Sequence, residues 1–416
     1  MTFRIALSGL DAASTDLAVT SNNIANASTT GFKESRAEFA DVYSSSVLGS
    51  SSTAAGQGVR VARIAQQFDQ GVVDFTSNNL DLALNGEGFF VLEDPNGTLL
   101  YTRSGAFSAD RDGYVVNQAN QKLQVYPATT TPAGDTIFNT GFLTDLQLPS
   151  TPSTPNPTTG IVAALNLDAS QNPPSAPVFS PVDASSYNHS TSITVYDSLG
   201  SAHQATMYFR KTSDNNWDGY LYVDGTNVTY GGGAAPAPFP LEFDNTGALI
   251  DPPTGTLALD AYAPPGGAGP MALTLDFSDA TQFGSSFSVN NLNQDGYASG
   301  RLSGVDIDSD GIVFARYTNG QSLAIGKVAL GKFNNPQGLR PDGDTNWVET
   351  FPSGNAQLGE ANTSSFGSVQ SGALESSTVD IAEQLVNLIM AQRNFQANAQ
   401  VITTADAITQ TVINIR

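Results

Sequence analysis

Few residues in this sequence have the types and spacing that could do chemistry. Asp306-x-Asp308-x-Asp310-Gly311 matches the first half of a calcium-binding loop, in which carboxylates at alternate positions converge on one cation. Such a loop needs a bidentate Glu at its twelfth position, and counting from Asp306 that position is Tyr317. The flanks alternate as strands do, so the Asp and Gly residues predict a hairpin turn. His189 and His203 are the two histidines, fourteen residues apart, without acids at metal-ligand spacing; they argue against a zinc site or a histidine base. The absence of Cys excludes disulfides, zinc–thiolate clusters and thiol nucleophiles. Gly231-Gly232-Gly233 and Gly266-Gly267-Ala268-Gly269 have no following helix to hold a phosphate and predict loops. Trp217, Trp347, Tyr220 and Tyr222 read as core or strand-face residues rather than a sugar platform. No catalytic, cofactor-binding or metal-ligating residue is assigned, and no cofactor is implied. A glycosidase-type pair of distant carboxylates has no motif to exclude it, so a secreted β-rich enzyme or adhesin stays open as an alternative.

Charge and composition narrow the partners. Lys+Arg 17 against Asp+Glu 39 leaves a net charge of −22, which repels phosphate backbones and anionic lipid, so neither nucleic acid nor membrane is an expected partner. No run of about 18 apolar residues offers a membrane span. The N-terminal stretch MTFRIALSGLDAASTDLAV lacks the continuous apolar core and cleavage site of a secretory signal. With 40% hydrophobic residues, 22 Phe and 13 Tyr, the chain has ample core material, and 416 residues suggest two to four domains.

The elements that would position any site differ between the ends and the middle. Phe3, Ala6, Leu10, Ala13, Leu17, Thr20 and Ile24 follow a 3-4 spacing that predicts a helix of roughly 35 Å. Asn22, Asn23, Asn26 and Gly31 end it. At the other end Ile381, Leu385, Leu388, Gln392, Phe395, Ala399 and Ile402 form a second seam, drifting to Ala405, Ile408, Val412 and Ile415. Ser376, Ser377 or Thr378 is expected to cap this helix, with Asp380 in its first turn. Neither stripe can be buried alone, so the termini are expected to pair as a coiled coil. Docking of each helix on a globular core is the plainer alternative.

Between the ends, short alternating runs around Asp112-Gly113, Ser198-Leu199-Gly200, Asn245-Thr246-Gly247 and Asp310-Gly311 predict hairpins. From Pro149 to Leu292 the chain holds 16 of its 22 prolines, with 12 acidic residues and 2 basic ones, Arg210 and Lys211. That shift marks an inserted domain. The expected fold class is α+β: long terminal helices forming a coiled coil, with two or more all-β domains between them, one inserted in the other. The expected domains are a helical pair from 1–29 and 375–416, a Ser-rich connector over 30–70, a discontinuous β domain from 71–148 and 293–374, and an inserted outer β domain over 149–292.

Four stretches carry a family resemblance. TSNNIANASTTGFK, from Thr20 to Lys33, and NLDLALNGEGFF, from Asn79 to Phe90, resemble the N-terminal motifs of the bacterial flagellar rod and hook family. GALESSTVD, from Gly372 to Asp380, and LVNLIMAQRNFQANAQ, from Leu385 to Gln400, are similar to its C-terminal signature. The resemblance implies a non-enzymatic subunit of an extracellular tube, exported uncleaved through the flagellar type III apparatus. The large inserted middle favours a hook subunit over a rod subunit. Implied partners are further copies of the chain, the distal rod, a hook cap, hook–filament junction proteins and the export apparatus. The apolar stripes at the ends would then form the polymer interface, through Phe3, Leu10, Leu17, Ile24, Ile381, Leu385, Leu388, Phe395 and Ile402. Some members of the family cross-link subunits through a Cys, which this chain lacks.

Overall fold

Alternating apolar and polar residues build strands through the whole middle of the chain, and heptad-spaced residues build a helix at each end. The computed structural model describes residues 2–42, 56–131, 135–233, 236–363 and 365–414. The helices are α1, Thr2–Ala25, and α2, Ile381–Asn414. Among the described residues no helix is long and apolar enough to cross a membrane. Ile415 lies outside the described residues, as does the side chain of Val412. The chain separates into two compact units: Met1–Ser150 with Gly304–Arg316 and Ser322–Arg416, and Thr151–Ser303 with Tyr317–Gln321.

The first unit is assembled from both sides of the interruption. The strand Ser322–Lys332 hydrogen-bonds antiparallel to Lys122–Thr130, with Val328 opposite Val125, and to Phe89–Glu93, with Leu330 opposite Phe90. Phe89–Glu93 pairs in turn with Leu99–Thr102, which pairs with Asn346–Val348. Phe89, Val91, Tyr101, Tyr126, Phe333 and Trp347 fill the core on one side of this sheet. Their rings meet edge to face, with centroids 5.6 Å apart for Phe89 and Trp347 and 4.7 Å for Tyr101 and Phe333. The Asp308–Gly311 segment is the turn between the strands Leu302–Ile307 and Ile312–Tyr317. There the Asp308 Oδ1 accepts the N–H of Asp310 at 3.0 Å and of Ile312 at 2.8 Å, and Gly311 takes φ +76°.

The connector expected over 30–70 carries regular structure. Ser35–Asp41 and Val59–Gln66 form an antiparallel ribbon that packs on α1. Its alternation is hard to see in sequence because the two buried residues are small and lie on opposite faces, Ala37 across from exposed Ile64 and Ala65 across from exposed Arg36. Most of the Ser-rich stretch, residues 43–55, lies outside the described residues. The ribbon is pinned to the sheet core by Trp347, whose indole Nε1 donates to the Gln66 Oε1 at 2.5 Å.

The second unit has two sheets around one core. In the first, Gly160–Asp168 pairs parallel with Thr274–Asp276 and Thr281–Phe283 and antiparallel with Ser288–Gln294. In the second, His189–Tyr196, Ala202–Ser213, Asn216–Val223 and Phe239–Phe243 run antiparallel in that order. Trp217, Phe209, Phe239, Phe277, Leu165 and Leu275 are buried between them. The two histidines are built into this framework. The ring of His189 stacks on Phe287 at 4.5 Å. His203 lies between two carboxylates, with Nδ1 2.5 Å from the Asp224 Oδ2 and Nε2 3.2 Å from the Asp197 Oδ2. Burial alone would push His203 down, but the two carboxylates outweigh it and hold its pKa above the ordinary histidine value.

Candidate assembly site at the joined termini

Three of the four family-like stretches converge at one place in the first unit. The end of α1 unwinds through Asn26 and Ala27, whose N–H groups reach back to Asn22 and Ile24. Gly31 then adopts φ +71°, and a Cβ there would lie 2.4 Å from the backbone N of Ser104. That turn delivers the chain to the C-terminal segment. The N–H of Gly31 donates to the carbonyl of Glu375 at 2.8 Å, and the N–H of Glu34 donates to the Thr378 Oγ1 at 2.9 Å. Thr378 is therefore occupied, and the cap of α2 is Asp380, whose Oδ1 accepts the N–H of Ala382 at 2.7 Å. The expected cap among Ser376, Ser377 and Thr378 is corrected accordingly.

A buried charge cluster locks this junction. The Glu375 carboxylate, 0% exposed, accepts from the Lys33 Nζ at 2.6 Å, the Gly71 N–H at 2.7 Å and the Arg103 Nη1 at 3.4 Å. Lys33 also donates to the carbonyl of Asp69 at 2.5 Å, and the Arg103 Nη2 to the carbonyl of Gly86 at 2.8 Å. Burial pulls the pKa of Lys33 and of Arg103 below their ordinary values, and Glu375 partly offsets this for both. Sequence reasoning missed the cluster. Its one legible hint is that Lys33 and Glu375 both sit inside family-like motifs.

The helices run side by side and antiparallel. Gly9 faces Asn398, and the Asn23 Nδ2 donates to the Gln384 Oε1 at 3.2 Å. Gln384 donates onward to the Glu34 Oε1 at 2.9 Å, and Asn23 exchanges hydrogen bonds with the backbone of Ser35. The pairing itself was expected, and its seam keeps Ala6, Ala13 and Thr20 of the expected α1 stripe and Leu388, Phe395 and Ile402 of the expected α2 stripe, while Gln384, Ala391 and Asn398 take the places expected of Leu385, Gln392 and Ala399. On α1 the buried residues are Ala6, Ala12, Ala13, Val19, Thr20 and Asn23. On α2, Gln384 and Ala391 are buried, and Leu388, Phe395, Asn398 and Ile402 are half-buried, at a 4-3 spacing. Gly9 and the alanines allow close approach, and the Asn23–Gln384 pair sets the register.

Of the expected interface residues, Leu388, Phe395 and Ile402 share this stripe. Leu10, Leu17 and Ile24 are half-buried. Phe3, Ile381 and Leu385 point to solvent at 51%, 52% and 46% exposure. Ile389, Met390, Val401 and Ile408 are exposed as well, so α2 carries an apolar surface that nothing in the described subunit covers. Phe3, Val401, Ala405 and Ile408 line a groove of about 740 Å³ on this surface.

Comparison with known proteins agrees with this architecture. Residues 3–33 match the family model Flagella basal body rod protein, and 83–156 match Flagellar hook protein FlgE/F/G D1 domain. Residues 166–297 match Flagellar basal body protein FlaE D2 domain, and 370–415 match Flagellar basal body rod FlgEFG protein C-terminal. The chain is 40% identical to the flagellar hook protein FlgE of Escherichia coli K12, over 100% of both chains. This chain belongs to the flagellar hook protein family. It is 39% identical to the flagellar hook protein FlgE of Salmonella typhimurium LT2, again over 100% of both chains. The crystal structure of Helicobacter pylori flagellar hook protein FlgE2 shares the fold, with a TM-score of 0.53 and 16% identity over 73% of this chain and 100% of that one.

Proposed function

We propose that the chain is the structural subunit of the bacterial flagellar hook, polymerising into a curved, flexible tube that carries motor torque to the filament. The observation that supports this most directly is the apolar surface of α2. A helix that turns Gln384, Leu388, Ala391, Phe395 and Ile402 toward the rest of the subunit, while Ile381, Leu385, Ile389 and Ile408 stay exposed, is matched to a partner outside the subunit. In a polymer that partner is another copy of the chain, and a head-to-tail contact repeated along a helix gives a tube. Phe3, Leu10, Leu17, Ile24, Ile381, Leu385, Leu388, Phe395 and Ile402 are proposed to lie in or beside the interface. The helical termini would line the channel, and the domain over 149–292 would face outward. The distal rod, hook cap, hook–filament junction proteins and type III export apparatus are the further partners in this reading, with an extracellular location and no cleaved signal.

Electron microscopy of concentrated purified chain tests it, with curved tubes as the expected result. Leu385→Asp should abolish the tubes while leaving the subunit's melting unchanged, because residue 385 is already in water in the subunit. Straight tubes would assign the chain to the rod, and no polymer under any condition would remove the proposal.

A further inference from the structure

His189 opens the strand His189–Tyr196, which lies at the edge of the second sheet of the second unit and sets His189 opposite Phe209 of Ala202–Ser213. Its ring stacks flat on Phe287, with the planes 5° apart, and the Trp217 ring lies 6.3 Å away. Phe287 immediately precedes Ser288–Gln294, a strand of the other sheet, so the stack joins the two sheets at this edge. The His189 Nε2 is buried and has no hydrogen-bond partner among the described residues. A neutral imidazole meets this by carrying its proton on the other nitrogen. An imidazolium places a charged N–H at Nε2 with nothing to accept it, which is the costlier burial.

The charged groups around the ring do not supply that acceptor. Asp168, at the end of Gly160–Asp168, favours the proton through space, but its Oδ1 is held by the N–H and hydroxyl of Ser170 and its Oδ2 by the Gln171 side chain at 3.2 Å. On Ala202–Ser213, Arg210 donates to the carbonyls of Ala176 and Pro177, and Lys211 to the carbonyl of Ala169 at 2.7 Å. Asp218, Tyr220 and Tyr222 alternate with Trp217 and so lie on the opposite face of the sheet. Ser288–Gln294 carries no ionisable side chain, and His189–Tyr196 adds Tyr196 alone. We infer that His189 is an acid-sensitive clasp between the two sheets of the second unit: neutral, it closes the stack on Phe287, and protonated, it loosens this edge. Burial pushes the pKa of His189 below the ordinary histidine value, against the pull of Asp168. A histidine lowered in the fold contributes stability that is present above its unfolded pKa of 6.5 and is lost as pH falls through the folded value. That sign is opposite to the one at His203, and the clasp acts within the subunit, independently of polymerisation.

Proton NMR of isotope-labelled histidine in the full chain tests this. His203→Gln leaves His189 as the one histidine, and its titration midpoint should lie below 6.5. Taking the chain from neutral to mildly acid pH should lower the second unit's melting transition. His189→Phe keeps an aromatic ring on Phe287 but takes no proton, and it should lose part of that decline. Imidazolium quenches a nearby indole, so acid should dim Trp217 less in His189→Phe than in the unmodified chain; Trp347 and His203 are common to both chains and cancel. A midpoint at or above 6.5, or acid-side melting and emission profiles that coincide for the two chains, would overturn the inference. Should His189→Phe not fold, the NMR midpoint decides by itself.

Discussion

Replacing Glu375 with alanine removes the buried carboxylate that Lys33 and Arg103 share. Both cations are almost fully buried, and the Gly71 N–H loses its acceptor as well. Breaking a buried pair by deleting one partner costs ~3–5 kcal/mol, most of it the penalty of the charge left behind. The orphaned Gly71 N–H adds ~1–3 kcal/mol, less whatever water recovers. The expected loss is therefore ~4 kcal/mol or more in the first unit. For a unit of this size, ~2–4 °C of melting temperature goes with each kcal/mol, so its transition should fall by roughly 8–16 °C. One tryptophan sits in each unit, Trp217 in the second and Trp347 in the first, so a Trp217→Phe background lets fluorescence follow the first unit alone. Because burial already lowers the pKa of Lys33, the variant should regain part of the loss as pH rises and Lys33 sheds its proton. Glu38→Ala is the control: its partner Arg63, at 2.7 Å, is exposed, and the transition should hardly move. A Glu375→Ala transition within about 1 kcal/mol of the unmodified protein would mean that water reaches the cluster, and the lock described here would be wrong.

Two further outcomes are expected. The pKa of His203 is raised above its unfolded value of 6.5, so its contribution is fully present below that value and lost as pH rises through the folded pKa. Melting of the second unit followed from pH 5 to 9 should therefore decline on the alkaline side, and His203→Gln should flatten the decline; an unchanged profile would separate His203 from it. Gly9→Leu should part the helices, since even a Cβ there lies 2.6 Å from the Asn398 Oδ1. Amide exchange over Thr2–Ala25 should then accelerate with the second unit unaffected, and unaltered protection would place α1 elsewhere.

The two helices, the β-rich middle and the turns at Asp112-Gly113, Ser198–Gly200 and Asp310-Gly311 were legible because each is written in residues close together in sequence. A 3-4 spacing or an Asp-Gly pair acts within a few positions of itself. The ribbon over Ser35–Asp41 and Val59–Gln66 was not legible, because its two buried residues are alanines on opposite faces and give no alternating apolar pattern. The seam between α1 and α2 was legible as a period and only partly as a face, through Ala6, Ala13, Thr20, Leu388, Phe395 and Ile402. Each helix has several apolar stripes, and Gly9 beside Asn398 with Asn23 bonded to Gln384 decides which one closes. Nothing near Glu375 in sequence marks it as a buried anion, and its partner Lys33 lies 342 positions away. Only the fold brings such groups together and removes their water, and that desolvation gives the contact both its cost and its specificity.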